Sequence, residues 1–275
     1  MAHKEAFFLP LDRGARSCIL HSSGGSAVGP GAILYVHPFA EEMNKSRRMA
    51  AQQARALSDA GWTVLQIDLF GCGDSDGDFA DADWSVWLSD ITEAADWLHR
   101  RSGVVPALWG LRSGCLLVSQ VARQMPVAPD LLLWQPVLSG RQFLQQFLRL
   151  KLAGRLFEKD SADRTDTEGL REQFRRGEPV EVAGYSIAPA LALGLDAAEL
   201  QPPPGSARVA WLHVVDAAGA GLSPAVQGRV GAWQREGVNV AARAVAGPAF
   251  WQTQEITECP ALVEATMTAL AEWTS

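Results

Sequence analysis

The stretch Leu108-Trp109-Gly110-Leu111-Arg112-Ser113-Gly114-Cys115 constrains this chain more than any other. It closes an apolar run, Val104 to Trp109, and opens a helical run, Leu116 to Met125. Two glycines four residues apart between a buried strand and a helix predict a sharp strand-to-helix turn. Side chains at the glycine positions would collide where strand and helix pass, and the residue at the apex is held in a strained conformation. Arg112 occupies that apex.

The 275 residues are 48% hydrophobic, enough for one large core with a modest insertion. A formal net charge of −7 argues against a general nucleic-acid role, which needs a basic surface. Cys18, Cys72, Cys115 and Cys259 are scattered, with no CxxC and no paired Cys/His spacing. They read as small buried hydrophobes in a reducing compartment, and the sequence predicts neither a metal site nor a cofactor. Met-Ala-His-Lys-Glu lacks a signal-peptide core, and no run of 18 or more apolar residues follows. The expectation is a soluble cytoplasmic protein without a transmembrane segment.

Along the chain, Glu5 to Leu11 and Ser17 to His21 predict an edge hairpin turned at Asp12-Arg13-Gly14. Ser22 to Gly31 reads as a loop. Ala32 to Val36 is a continuous apolar run, as in a parallel strand covered on both faces. A helix is predicted from about Asn44, its N-cap, to Ala60, stopped by Gly61. Trp62 to Ile67 is the next strand, followed by the glycine turn Asp68 to Ser75, which Asp68 is expected to hold through backbone N–H groups. Asp83 caps a helix with Trp84, Trp87, Leu88, Ile91, Ala95 and Leu98 at helical spacing. Leu131 to Leu138 predicts a strand.

Residues 139–205 hold no strand-like run. A helical stripe (Phe143, Phe147, Leu148, Leu152, Leu156) is followed by the polar stretch Glu158 to Pro179, expected to be the most mobile part. Arg141, Arg149, Lys151 and Arg155 beside the stripe read as a solvated face. Residues 202–204 are three prolines in a stiff linker. Strand and helix then alternate again: Arg208 to Val215, Pro224 to Arg235, Val238 to Val245, Ala261 to Trp273, with Pro224 and Pro260 near helical N1 positions. The division predicted is an α/β core of residues 1–138 and 206–275, with a mostly parallel sheet and helices on both faces, and a helical cap of residues 139–205.

Strand order, glycine-flanked turn, the Asp68-Leu69-Phe70-Gly71-Cys72-Gly73-Asp74-Ser75 string and the interrupting segment together resemble the α/β-hydrolase superfamily. The resemblance implies that fold and a ligand cleft at the C-terminal edge of the sheet. It also implies a nucleophile at the apex of the turn, an acid after a later strand and a histidine after the last strand. Asp216, directly after Val215, stands at the acid position. Arg112 stands at the nucleophile position. All five histidines precede Asp216, and Phe250-Trp251 follows the last strand where the imidazole belongs.

Further catalytic candidates are Ser113, one residue past the apex, and His37, on the loop that carries the oxyanion hole in such folds. Burial predicts Cys115 to be inert rather than a thiolate nucleophile. The residues expected to meet a ligand are Phe39, Glu41, Glu42, Leu111, Arg112, Phe250 and Trp251. Glu41, Glu42 or Asp216 is expected to pair with Arg112, because an unpaired guanidinium in a pocket is costly.

More narrowly, four strings are similar to the second of the two exosortase A system-associated hydrolase families. They are the run His37 to Met49 (HPFAEEMNKSRRM), Trp109-Gly110-Leu111-Arg112, Gln146-Phe147-Leu148-Arg149, and Gly247-Pro248-Ala249-Phe250-Trp251. That resemblance implies a hydrolase of bacteria that sort PEP-CTERM proteins and make extracellular polysaccharide. Two classes of function stay open. One is an enzyme acting on ester, thioester or acyl bonds through an unorthodox residue set. The other is a pseudoenzyme binding a small anionic or acyl-bearing molecule or a protein partner.

Overall fold

The computed structural model describes residues 3–23, 29–155 and 166–274. Chain order gives β1 (His3–Leu11), β2 (Gly14–Ser22), β3 (Ala32–Val36), α1 (Glu41–Asp59), β4 (Thr63–Ile67), α2 (Trp84–Ser102) and β5 (Ala107–Leu111). There follow α3 (Gly114–Ala122), β6 (Leu131–Trp134), α4 (Gly140–Arg155), α5 (Thr167–Arg175), β7 (Val180–Val182), β8 (Tyr185–Ile187) and α6 (Pro189–Ala197). The chain closes with β9 (Arg208–Val215), α7 (Pro224–Arg235), β10 (Asn239–Ala246) and α8 (Pro260–Ala271).

Eight strands form one sheet in the order β1-β2-β4-β3-β5-β6-β9-β10. The β1–β2 hairpin is antiparallel and closes one edge, β2 meets β4 antiparallel, and every later pairing is parallel. The central strands are buried on both faces, which is why they read as unbroken apolar runs. Successive side chains point to opposite sides. Leu34, Leu108, Leu131 and Trp211 therefore pack with α2, α3 and α7, while Ile33, Trp109, Leu132 and Leu212 pack with α1 and α8.

The stripe foreseen on α2 is buried at Trp84, Trp87, Ile91, Ala95 and Leu98, and the Asp83 carboxylate caps this helix by accepting from the Ser85 N–H at 2.7 Å. Other boundaries moved. α1 begins at Glu41 rather than at Asn44, because Ala40 turns the chain with φ 50° and both glutamates then face the positive end of the helix. β6 stops at Trp134 because Gln135 takes φ 44°. β5 begins at Ala107, and α3 runs from Gly114 to Ala122 instead of from Leu116 to Met125.

Residues 139–205 contain a small hairpin, β7–β8, where no strand was expected. Its strands are three residues long, too short for periodicity to reveal. Within the polar stretch, 158–165 lies outside the described residues, as does Leu156 of the stripe. Thr167 to Arg175 is a regular helix, because Leu170 and Phe174 bury against the core and the Asp166 side chain caps it. The helices of this segment pack on one another and on α2, and Phe143 and Phe147 of α4 reach Phe39 near the elbow.

Asp68 does not hold the glycine turn as anticipated. Its carboxylate takes the Arg47 guanidinium at 2.9 and 3.2 Å, while the Phe70 N–H goes to Asp90 and the Ser75 hydroxyl donates to the Asp68 carbonyl. All four cysteines are free and buried. No helix among the described residues is long and apolar enough to cross a membrane.

Candidate functional site

The elbow is built by close packing. A Cβ at Gly110 would lie 2.8 Å from the backbone of Cys115, and one at Gly114 would lie 2.6 Å from the Val36 carbonyl and 2.7 Å from that of His37. Only glycine lets β5, α3 and β3 approach so near. Between them Arg112 takes φ 56°, a left-handed conformation costly to a residue with a Cβ. The turn is fastened through the backbone: the Arg112 N–H donates to the Trp134 carbonyl at 2.9 Å, and its own carbonyl accepts from Cys115 at 3.1 Å.

That geometry aims the Arg112 side chain at α1. Its Nε lies 3.3 Å from both Glu42 carboxylate oxygens, and Nη2 lies 3.1 Å from Oε1. The guanidinium carbon sits 5.3 Å from the Trp251 ring centre and 5.8 Å from that of Phe143. The pair is mostly enclosed, with side chains 18% and 16% exposed. Burial pushes the Glu42 carboxyl above its ordinary range, and Arg112 opposes that push. Glu41 turns away and pairs with Lys45 at 3.3 Å, so Glu42 is the partner the sequence left undecided.

Arg112 opens onto a cleft of about 470 Å³ that it lines with Gln135, Asp216, Trp251 and Gln252. Asp216 stands exposed at its rim, directly after β9. Nη1 of Arg112 makes no hydrogen bond among the described residues. Leu111 and Phe250 were expected to meet a ligand but are fully buried, since strand alternation and packing against Trp134 turn them into the core. Phe39 is buried as well, beneath Phe143 and Phe147.

Two catalytic candidates are committed elsewhere. The Ser113 hydroxyl is buried and accepts the Phe39 N–H at 2.9 Å. That N–H belongs to the loop after β3, which supplies an oxyanion-hole donor in folds of this kind. Here a side chain of the elbow fills it. His37 is held at both ring nitrogens: Nδ1 lies 2.8 Å from the Pro38 carbonyl, and Nε2 accepts the Leu69 N–H at 3.2 Å. Those partners assign the proton to Nδ1. The Cys115 thiol lies 3.6 Å from the Trp134 carbonyl, and burial pushes its pKa far up, which disposes of a thiolate at neutral pH.

His213 was missed in the sequence. It lies on β9, its Nε2 is 3.4 Å from the amide nitrogen of Gln135, and its buried Nδ1 has no partner among the described residues. Burial lowers its pKa, as does the charge of Arg112. Gln135 is held by the Val214 N–H, which it accepts at 2.6 Å. Nothing in an apolar strand pattern marks a histidine that lies near a residue 78 positions away.

Burial holds the His37 pKa below its ordinary 6.5, so the folded chain keeps this ring neutral where the unfolded chain begins to protonate. The contribution is intact above pH 6.5 and is lost as pH falls from there toward the folded pKa. Each such histidine is expected to remove up to about 1.4 kcal/mol of stability per pH unit within that window. Urea unfolding at pH 7 and pH 5 checks this: His37→Gln should show a shallower loss than the parent, and an unchanged slope would refute it.

No family model matches the chain. Protein ABHD12B of Homo sapiens is 33% identical over 92 residues, a match spanning 33% of this chain and 24% of that protein. Among solved structures, Est1E from Butyrivibrio proteoclasticus with ferulic acid bound superposes with a TM-score of 0.63 at 15% identity, over 98% of this chain and 97% of that one. A carboxyl esterase from Bacillus coagulans gives 0.62 at 13%, over 100% and 99%. XC6422 from Xanthomonas campestris, a serine hydrolase described as having no lid, gives 0.59 at 17%, over 98% and 95%. With eight strands in this order and an elbow between β5 and α3, the chain has the α/β-hydrolase fold.

Proposed function

We propose that this protein binds a small carboxylate-bearing, acyl or aryl ligand in the cleft at Arg112, and that it does not hydrolyse esters by a serine–histidine–acid route. The observation that carries the reading is the double occupation at the elbow. Arg112 stands where a nucleophile would stand, and the Ser113 hydroxyl fills an oxyanion donor. A hydrolase needs both positions free, plus a base that reaches the nucleophile. The loop after β10 offers Trp251 instead of an imidazole.

Recognition of an anion uses what remains. Glu42 engages Nε and Nη2, which leaves the Nη1 N–H groups of Arg112 toward the cleft for a ligand carboxylate. Ala217, Ala220 and Ala249, with the edge of the buried Trp251, offer apolar surface to the acyl or aryl part. Residues 139–205 act as a lid, with Phe143 beside the guanidinium. Ferulic acid, the molecule bound to Est1E, carries both an aryl ring and a carboxylate and serves as a probe here. The resemblance of the His37–Met49 run to exosortase-associated hydrolases supports a setting among PEP-CTERM sorting and extracellular polysaccharide production. The rival reading, an acyl-bond hydrolase or transferase, draws its support from Asp216 at the cleft rim after β9.

Two measurements decide between these readings. Ferulate and hexanoate are titrated calorimetrically against the parent and against Arg112→Gln/Glu42→Gln, which leaves no orphaned charge. The expected result is binding to the parent that weakens at least about tenfold in the double variant. p-Nitrophenyl acetate is then assayed with the parent and with Arg112→Ser. Neither is expected to show a burst, because a serine at 112 would have no base. A burst, or labelling of Ser113 by a fluorophosphonate, would overturn the proposal.

A further inference from the structure

A second cleft, beside α1, shares no lining residue with the one at Arg112. It lies between α1 and strands β2, β3 and β4, and holds about 190 Å³.

Much of its polar lining is paired, but one group is not. Tyr35 is only 5% exposed, with its ring packed against Trp109 at 4.4 Å, yet its hydroxyl makes no hydrogen bond among the described residues. The hydroxyl oxygen is not sealed from solvent, so the cleft is where it can find a partner. Here the tyrosine lines the cleft together with Arg47 and Asp68. Arg47 meets Asp68 end-on through Nη1 and Nη2, and the Nη2–Oδ2 flank lies against Gly73, so the outer Nη1 N–H remains beside Oδ1, a carboxylate oxygen that can accept once more. Gln66, whose carbonyl oxygen is engaged by His21 Nε2 at 3.1 Å, has its amide N–H groups left over.

We propose that this cleft is a binding site for a small uncharged polyol, read through a vicinal diol by the Arg47–Asp68 pair with the Tyr35 hydroxyl as a third contact. Each hydroxyl of a diol both donates and accepts. Adjacent guanidinium N–H and carboxylate oxygen supply the complementary set, and the phenol can serve in either sense. Charge excludes a free anion: the one cation lining the cleft, Arg47, is already neutralised by Asp68, and Asp74 adds a further negative charge. A cation is the rival occupant that this charge favours, and ethylammonium tests it below. Ile19, Met43 and Ala51 offer apolar surface to the C–H face of a polyol.

The test is saturation-transfer NMR and calorimetry on the full chain with glycerol, myo-inositol and glucose, and with acetate and ethylammonium as controls. At least one polyol should bind. Affinity should fall about tenfold in Tyr35→Phe, the loss of one good hydrogen bond. Ala51→Leu, which fills the cleft from the partly exposed side of α1, should abolish binding. Arg112→Gln/Glu42→Gln should leave it unchanged, which keeps this site distinguishable from the other. Unaltered melting temperatures in both cleft variants show that the fold is intact. No polyol binding at the solubility limit, binding indifferent to Tyr35→Phe, or preference for acetate or ethylammonium would each overturn the proposal.

Discussion

Arg16→Leu is expected to cost about 3–5 kcal/mol of folding stability, the effect of breaking a buried ion pair by removing one partner. Arg16 is 0% exposed and Asp90 is 2% exposed. They meet bidentately, with Nε to Oδ2 and Nη2 to Oδ1 both at 2.8 Å, and Nη1 donates to the Arg13 carbonyl at 3.2 Å. Asp90 also accepts the Phe70 N–H at 2.8 Å, and the guanidinium lies 5.0 Å from the centre of the Phe70 ring. The pair thus ties β2, the glycine turn and α2 together at one point. Leucine would leave Asp90 buried with a single neutral donor. The paired replacement Arg16→Met/Asp90→Leu is expected to be much milder, because no charge is then orphaned. Urea denaturation of both variants checks this, and equal losses would show that packing rather than charge sets the cost.

Arg112→Ala is the second large effect. Ligand binding at the elbow cleft should be lost, and stability should fall by roughly 2–4 kcal/mol, below the full buried-pair value because both side chains retain some solvent. The loss arises from Glu42, whose carboxyl burial already pushes up. Without Arg112 the burial acts unopposed, so the penalty is that of an ionised, mostly desolvated carboxylate. It should be largest near neutral pH and shrink as pH falls and Glu42 takes a proton. Arg112→Gly should be less damaging than Arg112→Ala by about 1 kcal/mol, because glycine adopts φ 56° without strain. Chemical denaturation at pH 7 and pH 4.5 measures both. A deficit that grew on acidification would remove Glu42 from the account.

Much of the fold was legible because burial on two faces leaves a mark in one dimension. Ala32 to Val36, Arg208 to Val215 and the α2 stripe were foreseen nearly to the residue, and Gly110 and Gly114 located the elbow. The misses cluster where a backbone angle decides. Ala40 at φ 50° and Gln135 at φ 44° moved the start of α1 and the end of β6, and neither residue type advertises a left-handed turn. β7 and β8 are three residues each, shorter than any period can announce.

By itself the sequence determined the order of strands and helices outside residues 139–205, the position of the elbow, Arg112 at its apex, and the lack of any histidine after Asp216. It narrowed the partner of Arg112 to an acid nearby. Tertiary structure alone selected Glu42 over Glu41 and Asp216, sent the Ser113 hydroxyl to Phe39, closed both nitrogens of His37, and put Tyr35 beside the Arg47–Asp68 pair. The reason is physical. Apolar burial is set by each residue's own chemistry and its spacing along an element, so it repeats with the period of that element. A hydrogen bond or ion pair depends on distance and direction to one atom: Arg112 and Glu42 are 70 positions apart, and only the packing of α1 against the sheet brings them to 3.1 Å.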